Sequence, residues 1–277
     1  MIETFPDTTA ERICAVDTYY RKEVLSPDGR FICSSQAACS AGCGPDSGLS
    51  FFPAQGVAIG PNYDTQDSGV PFRVMIVPME HGRADTHLDL PTRWDQVAVR
   101  KSQPRSEWNP HMKGVAYALQ LAFGLPLGDS PESLLNPAQP NPVHILDAYA
   151  MANITLCSRV TKGTTESAAN STIRRNCMRH LRAQIDILKP TLIITQGASN
   201  YKPMAATFTL IERHSPDVAV WSSKGHRFAW AQLHHPTRNW SSIKMPYFTK
   251  TVAPAITLAR SVALAKYTDH SLSQRTP

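Results

Sequence analysis

Residues 73–82 read RVMIVPMEHG, and the fold turns on this stretch. Val74, Met75, Ile76 and Val77 form a short unbroken apolar run, the pattern of a strand buried on both faces. Pro78 stops the run, and Glu80 and His81 follow in the turn. Open parallel sheets place their ligands just past the carboxyl ends of their strands. The Glu-His pair is either solvated on a loop or part of a site, and the other strand ends decide between the two.

Several later segments have a matching character. Residues 145–154 form an expected strand with Asn153 and Cys157 at its carboxyl end. Residues 171–188 carry Ile173, Cys177, Leu181, Ile185 and Leu188 at helical spacing and stop at Lys189-Pro190. On that spacing Cys177 reads as a small apolar core residue. TLIIT at 191–195 is a short buried strand, followed by Gln196, Gly197, Ala198 and Ser199, where the glycine lets a backbone or phosphate come close. Residues 217–221 and 228–233 are further strands, the second running into His234, His235, Pro236, Thr237 and Arg238. Residues 111–123 predict a helix, 81–109 a long loop of the kind that is functional or disordered, and 124–143 a proline-rich connector. The last helix is expected over about 247–265, bent or begun at Pro254.

Strands separated by helical patterns predict a parallel sheet. Right-handed winding then brings Glu80, Asn153, Gly197 with Ser199, and His235 to one rim. A carboxylate, an amide, a glycine turn and an imidazole would converge there.

The chain has 277 residues, enough for a full core, and no run of eighteen apolar residues. Its start, MIETFPDTTAERIC, has no basic stretch leading into an apolar one, so neither a secretory signal nor a membrane partner is expected and a cytoplasmic location is. The formal charge is +6. Residues 221–250 hold Lys224, Arg227, Arg238, Lys244 and Lys250 and no acid, interleaved with Trp230, Trp240, Tyr247 and Phe248. Cations that neutralise phosphates, mixed with rings that stack on bases, suit nucleic acid. Arg174, Arg175, Arg179 and Arg182 add a second basic face. Six cysteines sit at 14, 33, 39, 43, 157 and 177. Cys39 and Cys43, separated by three residues and with Gly42 and Gly44 allowing tight turns, read as half of a zinc or iron–sulfur site or as two unrelated thiols.

Taken together, VMIVPMEHG, AMANITLC, NCMRHLRAQIDILKPTLIITQGAS and LHHPT resemble the motifs of the uracil-DNA glycosylase superfamily, in particular its iron–sulfur branch. The resemblance runs from about Cys39 to the last helix. It implies a three-layer α/β/α fold with a central, mainly parallel four-stranded sheet, in one domain over 1–277 with 1–60 as an N-terminal extension. It implies a monofunctional DNA glycosylase, a monomer on DNA, in which Glu80 and His235 are catalytic. Asn153 reads the base, with His81 and Trp108 beside it. Gly197, Ser199, Arg238, Arg83 and Lys244 hold the DNA. Cys39, Cys43, Cys157 and Cys177 bind a 4Fe–4S cluster, with Cys33 an alternative member and zinc an alternative metal.

The chain departs from that pattern in its first motif. It has Pro78, Met79, Glu80, His81 and Gly82 where the iron–sulfur branch has Gly-Glu-Ala-Pro-Gly, and it lacks a clear Phe that stacks on uracil. The expected substrate is therefore a modified pyrimidine such as glucosylated hydroxymethylcytosine of phage DNA, with repair and phage defence as the two candidate roles. The alternatives are a catalytically silent DNA-binding module and an enzyme acting on free nucleosides.

Overall fold

Val74–Pro78 is a strand whose five side chains are all buried, as its unbroken apolar pattern requires. The computed structural model describes residues 1–44, 46–53, 56–79, 89–128, 133–164 and 169–273, with backbone only for Arg238 and 266–273. In chain order the main elements are α1 (Pro6–Glu23), β1 (Ala58–Ile59), β2 (Val74–Pro78), α2 (Leu90–Ala98), α3 (Pro110–Phe123) and β3 (Tyr149–Met151). They continue with α4 (Ser171–Leu188), β4 (Leu192–Gln196), β5 (Thr209–Arg213), β6 (Val218–Ser223), β7 (His226–Leu233) and α5 (Ala253–Ser273).

The seven strands form one sheet in the order β5-β6-β7-β4-β2-β3-β1. Its centre, β3-β2-β4-β7, is parallel, with Val74 paired to Tyr149 on one side and to Leu192 on the other. Both flanks are antiparallel. The expected four-stranded sheet is thus the centre of a larger one. Its β5 edge has no sequence signal, because Thr209–Arg213 is exposed along its length and lacks the alternation that marks a half-buried strand. The chain leaves β2 for β3 on one side and later returns to β4 on the other, so the order reverses between β2 and β4.

Alternating side chains feed two cores. Val74, Ile76, Met151, Ile194 and Leu233 face α3 and α5. Met75, Val77, Ala150, Ile193 and Trp230 face α1 and α4. Helices therefore cover both faces of the sheet. The ends of α4 follow local chemistry: the Asn170 side chain accepts from Ile173 N–H at the start, and Lys189 closes it in a left-handed conformation before Pro190.

Parts of the first sixty residues pack into this body. Val16 and Tyr20 of α1 are buried in the α4-side core, and β1 is an edge of the sheet. Asp64 fastens the helix: Arg12 Nε lies 2.9 Å from it, and Arg73 Nη1 3.7 Å. Arg12 also donates to the Ile187 carbonyl at the end of α4. Removing one partner from a buried charge group strands the others. Asp64→Ala should therefore lower unfolding free energy by about 3 kcal/mol, read as a fall in urea midpoint.

His226 opens β7 and bonds through Nε2 to the Pro190 carbonyl at 2.7 Å. Burial moves its pKa down to about 4, against the pull of that bond, with Lys189, Arg73 and Arg12 adding to the fall. Unfolded histidine titrates near 6.5. The folded protein therefore resists the proton: this contribution to stability is complete above about 6.5 and is lost as pH falls towards 4. Chemical denaturation between pH 7 and pH 4 should show that decline, and His226→Gln should flatten it.

Candidate functional site

A cavity of about 520 Å³ opens at the carboxyl ends of the parallel strands, within the range of small-molecule sites. Pro78 at the end of β2, Asn153 beyond β3 and His235 beyond β7 all line it. These three are far apart in sequence, and the parallel centre brings them together as the strand-end argument expects.

Backbone bonds fix Asn153. Ala152 N–H donates to Ile76 O at 3.1 Å, and Ile154 N–H to Pro78 O at 3.0 Å, so the chain stays paired to β2 on either side of Asn153. The residue is 4 % exposed, and its Oδ1 faces Arg93 Nη2 at 3.5 Å. His235 is fixed differently. It caps the short helix Pro236–Asn239, and its Nδ1 accepts the Thr237 backbone N–H at 3.3 Å. An N–H donating onto Nδ1 leaves the proton of the neutral ring on Nε2. The residue before it is clamped on both backbone atoms: His234 N–H donates to Tyr247 Oη, and Trp240 Nε1 donates to His234 O. The His111 ring stacks on His235 at 5.7 Å between centroids and 12° between planes.

Two helices complete the wall. In α3 the Asn109 side chain accepts from Met112 N–H, Pro110 sits in the first turn, and Gly124 ends the helix at φ 69°. Gly114 of this helix lies against Pro236, where an added Cβ would fall 2.5 Å from Cγ. The absent side chain thus sets how near α3 comes to the His235 turn. In α2 the Asp89 side chain accepts from Thr92 N–H. Arg93, Gln96, Val97 and, one turn on, Arg100 face the cavity. The sequence reading placed all four in a long loop. Asp89 followed by Leu90-Pro91 is a helix-start signal that would have found them.

Other sequence-predicted residues fall elsewhere. Glu80, His81 and Arg83 lie outside the described residues, as does the side chain of Arg238. Trp108 does not line the cavity: it is 2 % exposed in the α3-side core, and its Nε1 donates to Gln103 O. Gly197 meets Met79: with φ at 150°, a Cβ there would lie 2.2 Å from Met79 Cγ. Ser199 Oγ donates to Met79 Sδ at 3.1 Å. Lys244 is exposed beyond the His235 turn. Of the rings between 221 and 250, Trp230, Trp240 and Phe248 are buried, because strand alternation and the packing of α5 turn them inward. They are core, and Trp240 alone of the three bonds to the His234 backbone, while Trp230 Nε1 donates to Thr195 Oγ1. Lys224, Arg227 and Lys250 remain exposed.

The cysteines form a separate group on the α4 face. Cys33, Cys39, Cys157 and Cys177 line one small void of about 10 Å³ together with His180, while Cys43 does not. A hydrogen bond from Cys157 holds the Cys177 thiol below its ordinary pKa, and burial pushes Cys39 up. Arg179 and His180 approach Cys33 Sγ at 3.1 and 3.4 Å. Four soft sulfur donors from three segments suit a four-thiolate centre. Among the described residues, no three His, Cys, Asp or Glu side chains are spaced to hold a metal ion. The donor types fit such a centre, and its void is small for one.

If these four thiols are the ligands, Cys33→Ser should lose bound metal and Cys43→Ser should keep it. Iron, sulfide and zinc content of protein purified without oxygen distinguishes cluster from zinc, and metal-free protein of normal stability would show four plain buried thiols. No protein-family model matches the chain, and no curated protein matches it.

Proposed function

We propose that the protein is a monofunctional DNA glycosylase that removes a modified pyrimidine from DNA and leaves an abasic site. The observation that carries this reading is the meeting of Asn153 and His235 on one cavity at the ends of parallel strands. A base inside a duplex is out of reach, so the target must be flipped into such a cavity. Breaking its bond to the sugar develops positive charge on the sugar and negative charge on the leaving base. His235, with its ring proton on Nε2, donates to an oxygen of the leaving base. Asn153 binds the base edge. The sequence assigns Glu80 to the sugar, where a carboxylate offsets the positive charge and orients the attacking water. Exposed Lys244, beyond the His235 turn, offers a phosphate contact that weakens as salt rises, whereas Lys224 and Arg227 stand at the opposite end of β7.

Cys33, Cys39, Cys157 and Cys177 would hold the metal centre if one is present. Bound there, an iron–sulfur cluster or zinc would supply a crosslink between the segment around Cys33–Cys39 and α4, with no part in base release. A site set up for a base other than plain uracil is consistent with the first motif's departure from the family pattern. Repair and phage defence both remain compatible with that chemistry.

The test is incubation with oligonucleotides carrying uracil, hydroxymethylcytosine, its glucosylated form or other modified pyrimidines, with alkali cleaving abasic sites. Glu80→Gln and His235→Ala should each slow release by about a hundredfold or more while DNA binding persists. Asn153→Ala should change which base is released. Salt-sensitive binding with no abasic product on any DNA would select a silent binding module, and turnover of free nucleosides would select a nucleoside enzyme.

A further inference from the structure

A second, smaller cavity of about 180 Å³ opens at the same rim. It falls below the size of a site for a whole drug-sized ligand and suits a single flat ring. Thr195, Gly197, Tyr201, Asp217, Gln232 and His234 line it.

The two cavities stand on opposite faces of the sheet. Val97, Met112 and Met151 place the first on the α3 side. Tyr201 stacks on Trp230, and Trp230 Nε1 donates to Thr195 Oγ1 at 3.0 Å, so the second lies on the α4 side. They meet just past the end of β7. His235 lines one and His234 the other, as the alternation of side chains along a strand would carry them. The turn that Tyr247 and Trp240 clamp thus borders both.

The lining of the second cavity suits the edge and face of a base. The Tyr201 ring lies 5.8 Å from that of Trp230 and 27° from its plane, and the residue is 37 % exposed. The indole backs the phenol ring, and the exposed part of the ring is a surface on which a base can stack. Asp217 is placed by its backbone. Its N–H donates to Ser215 Oγ at 3.2 Å, and its carbonyl accepts the Gln232 N–H at 2.8 Å. An ionised carboxylate only accepts hydrogen bonds. It repels a phosphate and matches an exocyclic amino group, as an acid does at cytosine N4. Cytosine and adenine carry that group. Thymine carries an oxygen in its place, which would face the carboxylate acceptor to acceptor.

We propose that this cavity holds the base next to the flipped one on the same strand and selects cytosine or adenine over thymine. A nucleotide drawn into the first cavity brings its neighbour to the His234–His235 turn, where the second cavity opens. The protein then reads a two-base step. The inference rests on the glycosylase reading for the identity of this occupant.

The test reads binding and needs no knowledge of the excised base. Single strands carry one tetrahydrofuran abasic analogue, which leaves the first cavity without a base. The nucleotide on its 5′ or 3′ side is cytosine, adenine or thymine, and fluorescence anisotropy at fixed salt compares them. On one side, cytosine or adenine should bind about fivefold tighter than thymine or better. Asp217→Ala should abolish that preference with the melting temperature unchanged. Tyr201→Ala should weaken every base on that side alike. Equal affinities for the three bases on both sides overturn the proposal, as does a preference that survives Asp217→Ala. The glycosylase reading fails separately. An Asp217-dependent preference with no abasic product from any DNA would keep the second site and reject the enzyme, and product without preference would reject the second site alone.

Discussion

The rim depends on the chain beyond β3 staying bonded to β2 after the strand itself has ended. Ala152 and Ile154 donate to Ile76 and Pro78, and Asn153 between them has no freedom to leave the sheet edge. Without that register the amide would hang from a loop, and loops do not hold a side chain to the tolerance that recognition needs. The parallel centre extends the same control across the molecule. β7 runs parallel to β4, which runs parallel to β2, so His235 reaches the same side of the sheet as Asn153. Position at the rim is thus a property of backbone pairing, and the side chains inherit it.

Polar residues at this rim are tied to the core by different means. Trp240 and Tyr247 are aromatic residues whose single polar atoms grip the His234 backbone, so burial of a ring and placement of a turn are one event. Gly114 works through absence, letting α3 come against Pro236. Met79 fills the space that Gly197 leaves at the reversal point between β2 and β4.

The sequence was most legible where one pattern had one physical cause. Val74–Val77 could only be a doubly buried strand, and the spacing from Ile173 to Leu188 gave α4 to within its caps. Legibility failed where pattern and packing parted. Residues 145–154 look like one strand, but a 3₁₀ turn at Ile145–Asp147 takes up the first part, and the strand proper is Tyr149–Met151. α2 was hidden because it is short, and its apolar stripe of Leu90, Trp94 and Val97 is interrupted by the cavity-facing Arg93 and Gln96. The alternation of cations and rings in 221–250 looked like a nucleic-acid surface, yet Trp230, Trp240 and Phe248 are turned into the core and their neighbouring cations stay outside. The cysteines were legible as a group and not as a membership: the three-residue gap favoured Cys43, whereas the chain path brings Cys33 to the void.

The two borders of the sheet differ in a way that bears on solubility. β1 is two residues long and offers an incoming chain almost nothing to pair with. β5 is longer, and Leu210 and Ile211 stand 44 % exposed on it, a combination that invites edge-to-edge aggregation. Its pairing with β6 slips between Leu210 and Glu212, and Glu212 and Arg213 follow with opposite charges. The irregularity bends the outer ladder away from the straight line that a second strand would need. One unpaired residue thus helps keep neighbouring copies of the protein from joining their sheets.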